Sequence, residues 1–203
     1  MADVPRRMAY PEWREKFIDS ISDVGYNINM KPITITDATI ENLRSPQVEG
    51  WPAFMNDRLN REHQELLRLA QRQPSGVEVA VRYGDNFTNK VVSVGTVGRV
   101  APDFSSGTIY MHNHPSGNTF TLKDVEKLLF NDNIELLSAV GHNGVIYTLH
   151  KAGRYSFSSV YAKYHKLSKN RPDYKASPEE YIRFMEDFLN SLSDAGLNYE
   201  KGR

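Results

Sequence analysis

The order of the segments predicts an α/β fold, and three observations carry that reading. Val77-Glu78-Val79-Ala80-Val81-Arg82-Tyr83 alternates in side-chain character, the period of two that a strand with one buried face requires. Trp51 to Arg72 and Thr121 to Phe130 instead space their apolar residues at helical intervals, as amphipathic helices do. Further β-rich runs, Thr108 to Met111, Ile134 to Val140 and Val145 to Leu149, interleave with those helices. Such interleaving defines the α/β class.

Taken in chain order, Pro11 to Asp23 reads as a short helix with Trp13, Phe17 and Ile21 on one stripe and Gly25 beyond its end. Ile33 to Thr36 is β-rich behind Pro32 and reads as a short strand, with a helical turn over Asp37 to Leu43. Met55, Leu59, Leu66 and Leu69 form the stripe of the long helix, which Pro74-Ser75-Gly76 ends. After Val77 to Tyr83, Asp85 and Asn86 turn the chain toward Val91 to Val94. Asn143-Gly144 is the hairpin signal between the last two β-rich runs. Ser156 to Leu167 reads as helix. Ser177-Pro178-Glu179-Glu180 then opens a final helix with an N-cap, an N1 proline and a capping-box Glu. Its stripe of Tyr181, Phe184, Met185, Phe188, Leu189 and Leu192 has to bury against something, and the core is the expected partner.

At 203 residues, 39% hydrophobic and 25% charged, the chain can bury one sizeable core. It contains no Cys, which removes thiol catalysis and Cys-ligated zinc from consideration. No apolar run approaches the roughly 18 residues of a membrane span. Met1 to Phe17 lacks the apolar centre of a signal peptide, so a cytoplasmic location is expected. A formal net charge of zero argues against a surface given over to nucleic acid. One stretch is nevertheless basic. Between Lys151 and Lys175 seven cations face only Asp173, with Tyr155, Phe157, Tyr161, Tyr164 and Tyr174 interleaved. Aromatics among cations suit stacked bases and phosphates, although a solvated helix with its aromatics in the core gives the same pattern.

The stretch richest in chemistry is His112-Asn113-His114-Pro115-Ser116-Gly117, followed by Thr121-Leu122-Lys123-Asp124. Imidazoles at i and i+2 project from one face of a strand. Turn residues then allow a carboxylate ten positions on to swing back to the same point. Two nitrogens and one carboxylate oxygen make a three-ligand site suited to Zn2+, with a fourth position left open. Thr-x-x-Asp ahead of an apolar run is also a helix capping box, and Thr121 can serve both purposes.

His-x-His-Pro with a downstream Ser/Thr-x-x-Asp resembles the signature of the JAMM (MPN+, JAB) metalloproteases. His-Asn-His-Pro-Ser-Gly is similar to their RadC-like branch, and Val140 to Tyr147 resembles JAB-type domains of phage head-morphogenesis and toxin-like proteins. Here Pro115 to Phe120 makes the loop one residue shorter than the family pattern, and Thr121 stands where the family has Ser. The resemblance implies a JAMM-like (cytidine-deaminase-like) mixed sheet with flanking helices. That core spans 28–151, with an N-terminal helical segment at 1–27 and a C-terminal helical extension at 152–203 packing on it. It also implies roles: His112, His114 and Asp124 as ligands, Glu78 as general base, and Thr121 as oxyanion donor with Ser116 as second choice. The activity implied is zinc-dependent hydrolysis of peptide or isopeptide bonds in a protein substrate. Two other readings belong to different classes: a non-proteolytic RadC-like module on nucleic acid, met through Lys151 to Lys175, or an accessory binding domain. His142 reads as a loop histidine, His63 lies on the polar side of the long helix, and His150 and His165 have no evident partner.

Overall fold

A computed structural model describes residues 31–100, 106–173 and 176–202. Among them six strands form one sheet: β1 (Val77–Tyr83), β2 (Val91–Val97), β3 (Ile109–His114), β4 (Leu136–Gly141), β5 (Ile146–Lys151) and β6 (Leu197–Gly202). Five α-helices accompany it: α1 (Asp37–Glu41), α2 (Ala53–Gln71), α3 (Leu122–Phe130), α4 (Phe157–Ser168) and α5 (Pro178–Asn190). The strand order is β2-β1-β3-β4-β5-β6. β3 and β4 run parallel, and every other neighbouring pair is antiparallel. The chain is therefore a mixed α/β protein. No described helix is long and apolar enough to cross a membrane.

The parallel pair positions the site. Parallel neighbours need a crossover, usually a helix, and α3 supplies it between β3 and β4. The carboxyl end of β3 is thereby brought to the amino end of α3, the place where ligands gather in such sheets. Gly117 turns the chain between them at φ +75°, and a Cβ there would lie 2.5 Å from the Asn143 side chain. Only glycine fits both demands.

Each sheet face carries its own core. On one, Leu59, Leu66, Leu67 and Ala70 of α2 cover Val79, Val81, Met111 and Val140. On the other, Val125 and Leu128 of α3 and Phe184, Met185, Phe188 and Leu189 of α5 meet Leu137, Leu149 and Leu197. Each fully buried side chain of this size contributes roughly 1.5–3 kcal/mol. Packing of that stripe, more than helix propensity, therefore holds α5 in place.

The expected helix at Pro11 to Asp23 lies outside the described residues. Among the described residues the structure departs from the sequence reading in three places. Ile33 to Thr36 forms no strand: Ile33 instead bonds through its N–H to the Pro115 carbonyl (2.9 Å). Ser177 makes no side-chain capping bond, although Pro178 does sit in the first turn of α5 with Glu179 and Glu180. The sequence reading placed only helices beyond Lys151, yet Leu197–Gly202 pairs with β5 and extends the sheet. That run, Leu197-Asn198-Tyr199-Glu200-Lys201-Gly202, lacks β-branched residues, so its strand character comes from the edge it joins.

Candidate metal centre

β3 sends His112 and His114 to the α3 side of the sheet, and both are buried there. Asp124 arrives from the first turn of α3, also buried. The two Nε2 atoms stand 2.7 Å apart. Asp124 Oδ1 is 3.3 Å from His112 Nε2, and Oδ2 is 3.6 Å from His114 Nε2. Among the described residues this is the sole group of three or more such side chains whose donor atoms converge to fit a metal ion.

The donor set passes a physical test for a cation. His114 Nδ1 lies 2.7 Å from the Asn118 carbonyl. A carbonyl only accepts, so Nδ1 carries the hydrogen and Nε2 presents a lone pair. This is the outer-sphere bond that orients metal-binding imidazoles. Two imidazole nitrogens at 2.7 Å repel unless a proton or a cation lies between them. Tetrahedral zinc with bonds of about 2.0–2.1 Å sets its donors about 3.3–3.4 Å apart. Asp124 Oδ1 already stands at that spacing from His112 and Oδ2 is slightly beyond it from His114, while the imidazoles need to part by roughly 0.6 Å.

Thr121 fixes the third candidate ligand, Asp124. Its hydroxyl donates to Asp124 Oδ2 (2.7 Å), and its N–H reaches the same oxygen (2.9 Å). The Asp124 N–H returns to the hydroxyl, completing the capping box. Lys127 Nζ bonds Asp124 Oδ1 at 3.0 Å. Burial would raise the Asp124 carboxyl, but Lys127 and the two imidazoles hold it well below the usual carboxylate range. Burial pushes the His112 imidazole down to about 4. It also presses on His114, where Asp124, Glu78 and the Asn118 carbonyl outweigh it and leave that imidazole raised.

Glu78, His114, Thr121 and Asp124 line one cavity of about 330 Å³, with Ser116 on its wall. Val100, Phe120, Ile182 and Met185 supply apolar lining, the last two from α5. Burial pushes the Glu78 carboxyl up to about 7; His114 opposes this and the Asp124 charge adds to it. The alternative carboxylates are occupied elsewhere. Glu62 accepts from Tyr83, Lys90 and Arg58 on the α2 side. Glu65 pairs with Arg68, and Glu49 bonds Asn198.

The remaining histidines sort by their partners. His63, expected on a polar helix face, is instead wholly buried, with Nδ1 against Ser45 Oγ (2.6 Å) and Nε2 against Ser138 Oγ (2.7 Å). His142 uses Nδ1 on the Ile33 carbonyl and Nε2 on Asn113 Nδ2, so neither nitrogen is offered to the cavity. His165 stacks on Tyr161. In the basic stretch, Lys151 bonds the Asn131 carbonyl and lies over Tyr155, Lys163 pairs with Asp194, and Arg171 donates to Tyr164. Tyr164 is buried in the core, and Tyr155 and Phe157 pack against it. Tyr174 and Lys175 lie outside the described residues.

Sequence reasoning passed over Asn113, while His142, read as a loop histidine, does lie in the turn after β4. Asn113 sits between the two ligands but points to the opposite face, and nothing in its spacing marks it. No family model, no curated protein and no solved structure matches the chain.

Proposed function

We propose that the protein is a JAMM-like metallohydrolase that cleaves peptide or isopeptide bonds, with zinc held by His112, His114 and Asp124. The observation that carries this reading is the convergence of that triad beside a cavity that Glu78 lines together with His114 and Asp124. Zinc in such a site lowers the pKa of a coordinated water to about 7 and acts as a Lewis acid toward a carbonyl.

The chain's own groups supply the rest. Glu78, pushed up to about 7, is poised to take a proton at neutral pH and return it to the departing amine, the pKa match that general acid–base catalysis favours. Asp124, His112 and His114 hold the cation, and the Asn118 carbonyl and Thr121 hold those ligands. Because the Thr121 hydroxyl proton is committed to Asp124, its role is orienting that ligand. Ser116 is the better-placed side chain to meet charge developing on a substrate oxygen. The apolar wall of Phe120, Ile182 and Met185 favours a substrate with an apolar group beside the scissile bond.

The test uses zinc-loaded protein and a panel of quenched fluorogenic peptides that includes Lys-linked isopeptides. Glu78→Gln should keep its zinc and lose turnover by about 10²–10⁴-fold. A variant as active as the parent, or a parent inert on the whole panel, overturns the hydrolase reading and leaves a metal-binding module.

A further inference from the structure

We infer that Asn113 is the positioning residue of the general base: its carboxamide clamps the β1 backbone on both sides of Glu78 and so aims that carboxylate into the cavity. This rests on the hydrolase reading above, and it concerns the sheet face opposite the metal ligands.

The β1–β3 ladder pairs Tyr83 with Ile109, Arg82 with Tyr110, Val81 with Met111 and Ala80 with His112, and there it stops. Continued in register, Val79 would face Asn113 and Glu78 would face His114. The Asn113 side chain takes over where the ladder ends. Its Oδ1 accepts from the Val79 N–H (2.5 Å), and its Nδ2 donates to the Val77 carbonyl (3.3 Å). Those two backbone groups flank Glu78. The second Nδ2 hydrogen goes to His142 Nε2 (2.8 Å), whose Nδ1–H in turn donates to the Ile33 carbonyl (2.7 Å). Asn113 is wholly buried, and every donor it owns is used.

The other neighbour of β1 yields at the same residue. Val77 pairs with Val97 and Val79 with Val94, so Gly95 and Thr96 together oppose Glu78 alone. A β-bulge of this kind re-aims a side chain. Gly95 permits it, since a Cβ there would lie 2.0 Å from the Arg99 carbonyl. The turn that follows brings the Val100 N–H to the Glu78 carboxylate. Glu78 thus sits where β1 leaves β3 and bulges against β2, and the Asn113 carboxamide replaces the ladder bonds lost to β3.

An asparagine here does what a strand partner could not. A continuing ladder would close β1 onto β3 and bring Glu78 against His114. Left bare, the Val79 N–H and Val77 carbonyl would be unmet polar groups inside the protein. The carboxamide spans the gap and holds the strands apart by the width of a side chain.

The test needs no substrate. The protein is loaded with cobalt(II), and the visible bands are followed against pH for the parent, Glu78→Gln, Asn113→Ala and Asn113→Ser. Cobalt stoichiometry and amide exchange at Val79 are measured alongside. The expected result is a pH midpoint displaced in Glu78→Gln, displaced the same way by at least half as much in both Asn113 variants, with one cobalt retained and Val79 protection lost. If Glu78→Gln moves the midpoint but both Asn113 variants keep the parent value and only melt earlier, Asn113 is structural and the inference falls while the base stands. If Glu78→Gln itself leaves the midpoint in place, the base assignment fails and takes the inference with it. Should neither Asn113 variant fold, His142→Gln decides: a smaller displacement in the same direction supports the inference, and none overturns it.

Discussion

His63 and His112 are both buried imidazoles, on opposite faces of one sheet, and they differ in what surrounds them. His63 spends each nitrogen on a serine hydroxyl and lies against the α2 core. His112 directs Nε2 at a second imidazole and a carboxylate, while its Nδ1 has no hydrogen-bond partner among the described residues. Burial depresses both, to about 3 and about 4. Burial and a displaced pKa therefore do not separate structure from chemistry here. The separating fact is whether the donors are already satisfied: a bonded histidine is a strut, and one that converges on other acceptors is the candidate ligand.

This contrast can be broken by mutation. His112→Ala leaves two protein ligands, and zinc affinity should fall by more than the roughly 10–100-fold that losing an outer-sphere partner costs. Competition against a chromophoric chelator measures it, and an unchanged affinity would remove His112 from the site. Thr121→Ala keeps all three ligands but frees Asp124. Affinity should fall by about 10–100-fold, and the lost cap should cost about 1 kcal/mol in urea unfolding. A stability loss with no loss of affinity would make Thr121 a cap and nothing more.

A further effect concerns pH and leaves the metal site untouched. His63 is depressed in the folded state, so below its unfolded value of 6.5 the unfolded chain takes up a proton that the folded chain refuses. Its stabilisation is complete above pH 6.5 and is lost toward about 3, at about 1.4 kcal/mol per pH unit. His63→Gln should flatten the stability–pH curve of the zinc-loaded protein by that slope and leave zinc affinity unchanged. A parallel curve, or weakened zinc binding, would collapse the distinction between the two imidazoles.

The parts of the site that share one face were legible in the sequence because strand and helix periodicities are local. His112 and His114 at i and i+2, and Thr121 and Asp124 across one capping turn, could be placed from spacing, whereas Glu78 was singled out only by the family resemblance, its spacing showing no more than a polar position on an alternating strand. The parts that depend on which strands adjoin were not. Asn113 becomes informative only once β1 lies beside β3 and its ladder stops. His63 looks solvent-facing until Ser138 of β4 is set beneath it. Residues 197–202 become a strand because β5 leaves an open edge, whereas Ile33 bonds through its N–H to the Pro115 carbonyl of the loop after β3.

X-ray absorption at the zinc edge of the loaded protein reads the donor set itself. Two imidazole nitrogens and low-Z oxygen neighbours at about 2.0–2.2 Å in a four-coordinate site are expected, with one zinc per chain and the imidazole scattering halved in His112→Ala. A six-coordinate shell of oxygens, or a spectrum indifferent to that substitution, would contradict this donor set.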